Sequence, residues 1–433
     1  MTSTSSTTIA AGRGRARQGE VYRAGVLGRR PKVPVDVTAL ERRAEQVMSD
    51  RAWAYVSGGA GAGLTMASNR AAFTRWSIVP RMLAGRTRRD LGVELFGRTL
   101  PTPLLLSPVG AAGVVRRESD TLAAAAAASL DIPFVISSQG CSPMEDVAAA
   151  MGSGPRWYQL YWSTDEQLVD SMIARAEAIG CDALVVTVDT TMLGWRPMDL
   201  GLGSLPFARG IGIAQYTSDP RFLELVAERV ASPTGPAARV RPTPAAVRSL
   251  FSITSEHPGR FRDNLRSPVP RAAVEAFLDI YSNPGLGWDD LATLRHRTRL
   301  PVLVKGVLHP DDARRAVEAG ASGVVVSNHG GRQVDGALAS LDALPGVREA
   351  VGRDTVVVLD SGVRTGADVL KALALGADVV GIGRPWVYGL ALAGRAGVRE
   401  VLANLVAELD LTMGLSGVAS VRNIAPDLLT PTP

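Results

Sequence analysis

From residue 103 onward the apolar positions fall into a repeating form: a short unbroken hydrophobic run, then a longer stretch with helical spacing. The runs are "PLLLSPVG" (103–110), "PFVISS" (133–138), "RWYQLY" (156–161) and "ALVVTVD" (183–189), then "PVLVKGV" (301–307), "GVVVSN" (323–328), "TVVVLD" (355–360) and "VVGIG" (379–383). Apolar residues are continuous in them rather than alternating, as in strands covered on both faces. Helices fit between. "SDTLAAAAAASLD" is expected to start on a Ser-Asp cap, and "SPMEDVAAAM" on a Ser-Pro pair with acidic residues in its first turn. "STDEQLVDSMIARAEAIG", "HPDDARRAVEAG" and "TGADVLKALALG" each end at a glycine stop. Eight successive βα units predict an α/β fold closed into a (β/α)8 TIM barrel; an open doubly wound sheet is the alternative.

Three stretches fall outside this rhythm. Residues 38–100 are expected to form a helical N-terminal cap. The gap of residues 197–300, after the fourth run, is too long for a βα loop and should project from the C-terminal face as a partly mobile lid or substrate-side excursion. Residues 1–20, polar and then basic, are expected to be a disordered tail, leaving 21–433 as one domain.

Composition narrows the classes. With 46% hydrophobic and 21% charged residues, 433 residues can bury a large core. The net charge of +5 is largely local to "GRGRARQGEVYRAGVLGRRPK", and no aromatic interleaving or recognition helix accompanies it, which argues against nucleic-acid binding. Cys141 and Cys181 lie far apart without a CxxC partner, as suits a reducing cytoplasm. No run approaches 18 apolar residues, and Arg29-Arg30 is followed by "PKVPVDV" rather than a hydrophobic stretch, so neither a membrane span nor a twin-arginine leader is expected. Four scattered histidines without HxxxH argue against a metal centre. "GGAGAG" (58–63) has no preceding strand and reads as a helix-ending turn rather than a dinucleotide loop.

Catalytic groups of a barrel gather past the C-terminal ends of its strands. Those ends carry Pro108, Val109 and Gly110; Ser137; Gln159 and Tyr161; Thr187, Asp189 and Arg196; Lys305; Ser327, His329 and Arg332; Asp360, Ser361, Gly362, Val363 and Arg364; and Gly383 and Arg384. The last two groups occupy the usual phosphate corner, where glycine amides and arginines hold a phosphate. Ser137, Gln159 and Thr187 suit the edge of a polar heterocycle, with Lys305 as a fixed charge beside it. The residues thus point to a phosphorylated planar cofactor and an anionic substrate.

"SNHGGRQ", with "LVVTVDT", "GWRP", "VLVKGV", "LDSGVRTGADVLKALALGA" and "GIGRP" in order, resembles the FMN-dependent 2-hydroxy-acid oxidising family over about residues 38–430. "GWRPMDL", "LPFARG" and "YTSDPRF" are similar to its lactate 2-monooxygenase branch. The resemblance implies that His329 is the base and Asp189 its carboxylate partner. It implies that Arg332 and Arg196 clamp the substrate carboxylate, that Tyr55 and Tyr161 touch substrate, and that the strand-end residues named above, Tyr161 included, hold FMN. It also implies a homotetramer or octamer. Gly110 is the residue that lactate 2-monooxygenase-like sequences carry, which leads to an expectation of oxygen as acceptor and oxidative decarboxylation. The alternatives are a peroxide-releasing oxidase, a dehydrogenase with another acceptor, or, in another class, a non-catalytic flavin-binding protein. Two departures, Gln139 after Ser137-Ser138 and Thr191-Met192 after "DT", suggest a substrate larger or more polar than lactate.

Overall fold

The computed structural model describes residues 12–232 and 243–432. All eight apolar runs are strands: β1 (Leu104–Leu106), β2 (Phe134–Ser137), β3 (Arg156–Leu160), β4 (Ala183–Thr187), β5 (Val302–Val307), β6 (Gly323–Val326), β7 (Val356–Leu359) and β8 (Val379–Ile382). Each pairs in parallel with its neighbours, and β8 pairs with β1, closing the barrel. The unbroken apolar runs follow from burial on two sides. Leu105, Val135, Val185, Leu303, Val325 and Val358 fill the interior, while Leu104, Leu106, Ile136, Val186 and Val304 face the surrounding helices. No described helix is long and apolar enough to cross a membrane.

The expected glycine stops are present: Gly180, Gly320 and Gly376 follow their helices with positive φ. The Ser-Asp cap is not. Ser119 already lies inside the helix Ser119–Ala128, behind Glu118, and Asp120 instead accepts from the Ser142 amide at 3.1 Å and from that of Cys141.

The N-terminal cap is helical only in its first part, α2 (Val37–Val47), α3 (Asp50–Ser57) and α4 (Leu64–Thr74). Trp76–Ile78 then pairs antiparallel with Leu429–Pro431, and Val93–Leu95 with Arg98–Leu100. This last hairpin plugs the barrel floor: Leu95 and Leu100 pack with the interior residues, and Phe96 lies 5.8 Å from the Trp157 ring.

Two further expectations need correction. Of the tail, residues 1–11 lie outside the described residues, but Arg13–Val26 is a helix, α1, not disordered chain. It docks on the helical segment Arg384–Leu415, which is broken at Ala393-Gly394. Gly14 N donates to Asp410 Oδ2 at 2.7 Å and Arg17 Nε to Asn404 Oδ1 at 2.9 Å. Polar contacts at a distance hold α1, so its own sequence lacks an apolar stripe to reveal it. Asp410 also receives Arg89 Nε at 2.6 Å, with both side chains largely buried. Asp410→Ala leaves that guanidinium without its partner and is expected to cost about 3 kcal/mol, checked by thermal unfolding, with faster proteolysis of α1.

The excursion is built of packed helices, among them Pro220–Ala231, Pro244–Glu256 and Val269–Ile280; part of its Pro/Arg-rich middle, residues 233–242, lies outside the described residues. An aromatic cluster ties it down: Phe277 lies 4.8 Å from both Tyr216 and Tyr281, and 5.3 Å from Phe207. Its last helix, Trp288–Arg297, contacts the helix after β5, and Arg297 pairs with Glu166 and Asp170 of the helix after β3 at 2.7 Å each. It is therefore the outer-ring helix of the fourth βα unit.

Candidate active site

A cavity of about 110 Å³ opens at the C-terminal face. Pro108, Val109 and Gly110 line it after β1, Tyr161 after β3, Lys305 within β5, and His329 and Arg332 after β6. Asp360 through Arg364 follow β7, Gly383 and Arg384 follow β8, and Tyr55 comes from α3 and Arg196 from beyond β4. The other expected site residues stand behind this lining and support it. Ser137 Oγ donates to Gln159 Oε1 at 2.9 Å, and Gln159 Nε2 to Thr187 Oγ1 at 2.8 Å, a buried chain across three neighbouring strands. Ser327 Oγ receives Lys305 Nζ at 3.0 Å and His329 N at 3.1 Å.

The turn after β6 is unusual in its backbone. His329, Gly330 and Gly331 have φ of 58°, 66° and 75° in succession. Histidine is among the few side chains that tolerate this region. At Gly331 even a methyl would meet Met66 Cγ at 2.7 Å and its backbone nitrogen at 2.8 Å, so α4 can approach only a glycine. The turn places the His329 ring against Asp189: Nδ1 lies 2.9 Å from Oδ1. Asp189 also accepts from Thr190 Oγ1 at 2.9 Å and sits 3.5 Å from Lys305 Nζ. With Nδ1–H donating to the carboxylate, Nε2 carries the lone pair.

Burial alone would raise the Asp189 pKa, but Lys305 and His329 hold it well below the usual carboxylate range. Burial lowers the His329 pKa, with Lys305 adding to it and Asp189 opposing. The ring is therefore neutral at pH 7 and able to take a proton, and Asp189 stabilises the imidazolium that results. The midpoint for protonating the free enzyme's base therefore lies below the ordinary imidazole value of 6.5. The ratio kcat/KM is expected to fall in acid solution with a midpoint below 6.5; a pH profile with its acid midpoint at 7 or above contradicts this.

Arg332 is held from one side. Its Nη1 donates to the carbonyls of Tyr55 and of Gly58, the latter at 2.9 Å, and its guanidinium lies 4.9 Å from the Tyr55 ring centre. Nε and Nη2 have no partner among the described residues. Burial, then the neighbouring Arg196, lower its pKa to about 9, so it remains a cation. Arg196 is more committed: Nε donates to Arg332 O at 3.2 Å and Nη2 to Gln333 Oε1 at 2.9 Å. Arg384 ties Val56 O, Gly330 O and Gly58 O together at 2.9–3.0 Å. Burial raises the phenols of Tyr55 and Tyr161, which stay protonated donors.

Residues 44–431 match the profile of FMN-dependent dehydrogenases. The chain belongs to that family. An FMN-dependent alpha-hydroxy acid dehydrogenase of Penicillium citrinum is 41% identical over 95% of this chain and 94% of its own. An L-lactate oxidase of Lysinibacillus sphaericus is 40% identical over 90% and 91%. Among solved structures, a lactate oxidase of Pediococcus acidilactici superimposes with a TM-score of 0.75 at 30% identity, covering 92% of this chain and 94% of that one. Mandelate oxidase with (S)-2-phenylpropionate gives 0.73 at 32%, covering 92% and 99%.

FMN is thus the cofactor of this dehydrogenase-family chain, and the donor set fits it. The Ser137–Gln159–Thr187 chain offers amide and hydroxyl groups, Lys305 a buried cation, and the β7 and β8 ends glycine amides with Arg364 and Arg384. At Gly383 a Cβ would meet nothing within 4 Å. Several contributors escaped the sequence reading. Thr190 and Leu193, not Thr191 and Met192, line the cavity; Phe207 reaches it from the excursion. Gln333 spans Arg196 and the Asp189 carbonyl, the latter at 2.8 Å, and Asn69 of α4 exchanges two 2.8 Å hydrogen bonds with Asn328. Gln333 and Asn328 stand inside the quoted motif, whereas nothing local marks Asn69.

Proposed function

We propose that the protein oxidises an L-2-hydroxy acid at its alpha carbon, with oxygen as acceptor. The observation that supports this most is the His329–Asp189 pair facing the same cavity as the unpartnered edge of Arg332. In this reading Arg332, helped by Arg196, takes the substrate carboxylate in a forked grip that a point charge cannot reproduce. Tyr55 and Tyr161 donate to substrate oxygens. His329 Nε2 accepts the proton, and Asp189 holds the charged ring in place. Pro108, Val109, Gly110, Ser137, Gln159, Tyr161, Thr187, Lys305, Ser327, Asp360, Ser361, Gly362, Val363, Arg364, Gly383 and Arg384 hold the cofactor. When bound, FMN supplies the two-electron acceptor that oxygen then regenerates. Free thiols at Cys141 and Cys181 support a reducing, cytoplasmic setting, and homo-oligomeric assembly as a tetramer or octamer rests on the family resemblance.

Anaerobic mixing with a panel of L- and D-2-hydroxy acids tests this. Loss of the yellow flavin absorbance with L-acids supports it, and no loss with any acid would make the chain a flavin-binding protein without turnover.

Oxidative decarboxylation extends the reading. Gly110 supports it by resemblance, and the cover provided by Leu193 and Phe207 supports retention of the keto acid. The glycine does not leave a void, however: a methyl there would meet Gln139 Cβ at 2.7 Å. Gly110→Ala must therefore displace Gln139, and is expected to shift products from the shortened acid and carbon dioxide toward free keto acid and hydrogen peroxide. Product analysis under air decides; stoichiometric peroxide and intact keto acid from the unmodified enzyme overturn the decarboxylation reading.

A further inference from the structure

Gln139 is 6% exposed, and what remains exposed faces the cavity. Its backbone is fixed twice over: N donates to Ser137 Oγ at 3.1 Å, and O receives Ala111 N at 2.8 Å. The excursion closes on it from outside, where Gly212 packs so tightly that a Cβ would lie 3.0 Å from the Gln139 carbonyl. The side-chain amide, by contrast, has no hydrogen-bond partner among the described residues. Neither amide atom is fully buried, so the group keeps its access to solvent through the cavity, where a bound molecule can take the place of water on it. Its neighbours in the lining include Gly110, Leu193, Tyr161 and Phe207, which are mostly apolar. Gly110 makes the arrangement possible, since the atom nearest to a methyl there would be Gln139 Cβ, followed by Oε1 at 3.1 Å.

We infer that the Gln139 carboxamide is a specificity-determining group that hydrogen-bonds a polar substituent on the substrate's side chain, and so selects a 2-hydroxy acid bearing a hydroxyl or similar group on carbon 3. The inference rests on the 2-hydroxy-acid reading above. It makes the missing methyl of Gly110 the seat of a recognition group. The lone pair and N–H groups of the amide serve a donor or an acceptor equally.

L-glycerate and L-2-hydroxybutyrate are near-isosteres that differ by a hydroxyl against a methyl. The unmodified enzyme is expected to favour glycerate by roughly tenfold in kcat/KM for anaerobic flavin reduction. Gln139→Met, similar in length but without a strong hydrogen-bonding group, is expected to erase that preference while retaining its flavin absorbance. Binding gives a second readout that needs no turnover: hydroxypyruvate should perturb the flavin spectrum at lower concentration than 2-oxobutyrate, and the order should be lost in the variant. A wild-type preference for the methyl compounds, or a preference for the hydroxyl compounds that survives in Gln139→Met, overturns the inference. Failure of every hydroxy acid to bleach the flavin overturns the enzymatic reading instead, and the two keto acids then still decide the role of Gln139.

Discussion

His329→Gln slows flavin reduction by about 10²–10⁴-fold, the usual loss when a positioned general base is removed, and leaves the cofactor bound. Glutamine can still donate to Asp189 from the same turn, but its amide nitrogen has no lone pair with which to take a proton. The loss should appear in kcat and not in flavin content, because the polar chain of Ser137, Gln159 and Thr187 and the glycine- and arginine-bearing ends of β7 and β8 lie on other strands. Stopped-flow reduction under anaerobic conditions measures it directly. A variant that reduces its flavin at the native rate would remove His329 from the mechanism.

Arg332→Lys weakens substrate binding by about 2 kcal/mol or more, roughly thirtyfold. One edge of the native guanidinium is anchored on the carbonyls of Tyr55 and Gly58 while the other stays open to the cavity. An ammonium group cannot keep the anchor and present two parallel donors at once. Arg196→Lys should have the smaller effect on direct binding, because Nε and Nη2 are already engaged by Arg332 O and Gln333 Oε1. Dissociation constants from flavin perturbation by a non-reacting carboxylate separate the two. Equal native affinity in both variants means that the carboxylate is held elsewhere.

The barrel was legible because burial on two faces writes itself into eight unbroken apolar runs, and each strand appeared where its run stood. The strand-end chemistry was legible for a related reason: polar residues directly after a buried strand have only one rim to occupy. What local pattern could not carry was partnership at a distance. α1 is mostly polar, with Val21, Tyr22 and Val26 only in its second half, and Asp410 and Asn404, which meet it, lie far away in the chain. The helix Trp288–Arg297 belongs to the outer ring, yet the long insertion before it hid its rank among the βα units. Thr190 and Thr191 are neighbours of the same type, and only the turn after β4 decides that the first meets His329, at 3.2 Å, and that the second does not line the cavity.

The cavity also gathers Arg196, Arg332 and Arg384. Burial, followed by the charge of Arg196, depresses Arg332; burial is likewise the largest cause that brings Arg384 down to about 10, with Arg364 acting in the same direction. Like charges confined together raise the free energy of the folded protein, and an anion entering among them relieves that repulsion in addition to its own contacts. Mass action then joins folding to occupancy: each tenfold of free ligand above its dissociation constant adds about 1.4 kcal/mol to stability. FMN is in this sense a counterion of the fold as well as its redox partner, and a chain that loses it gives up part of its resistance to unfolding.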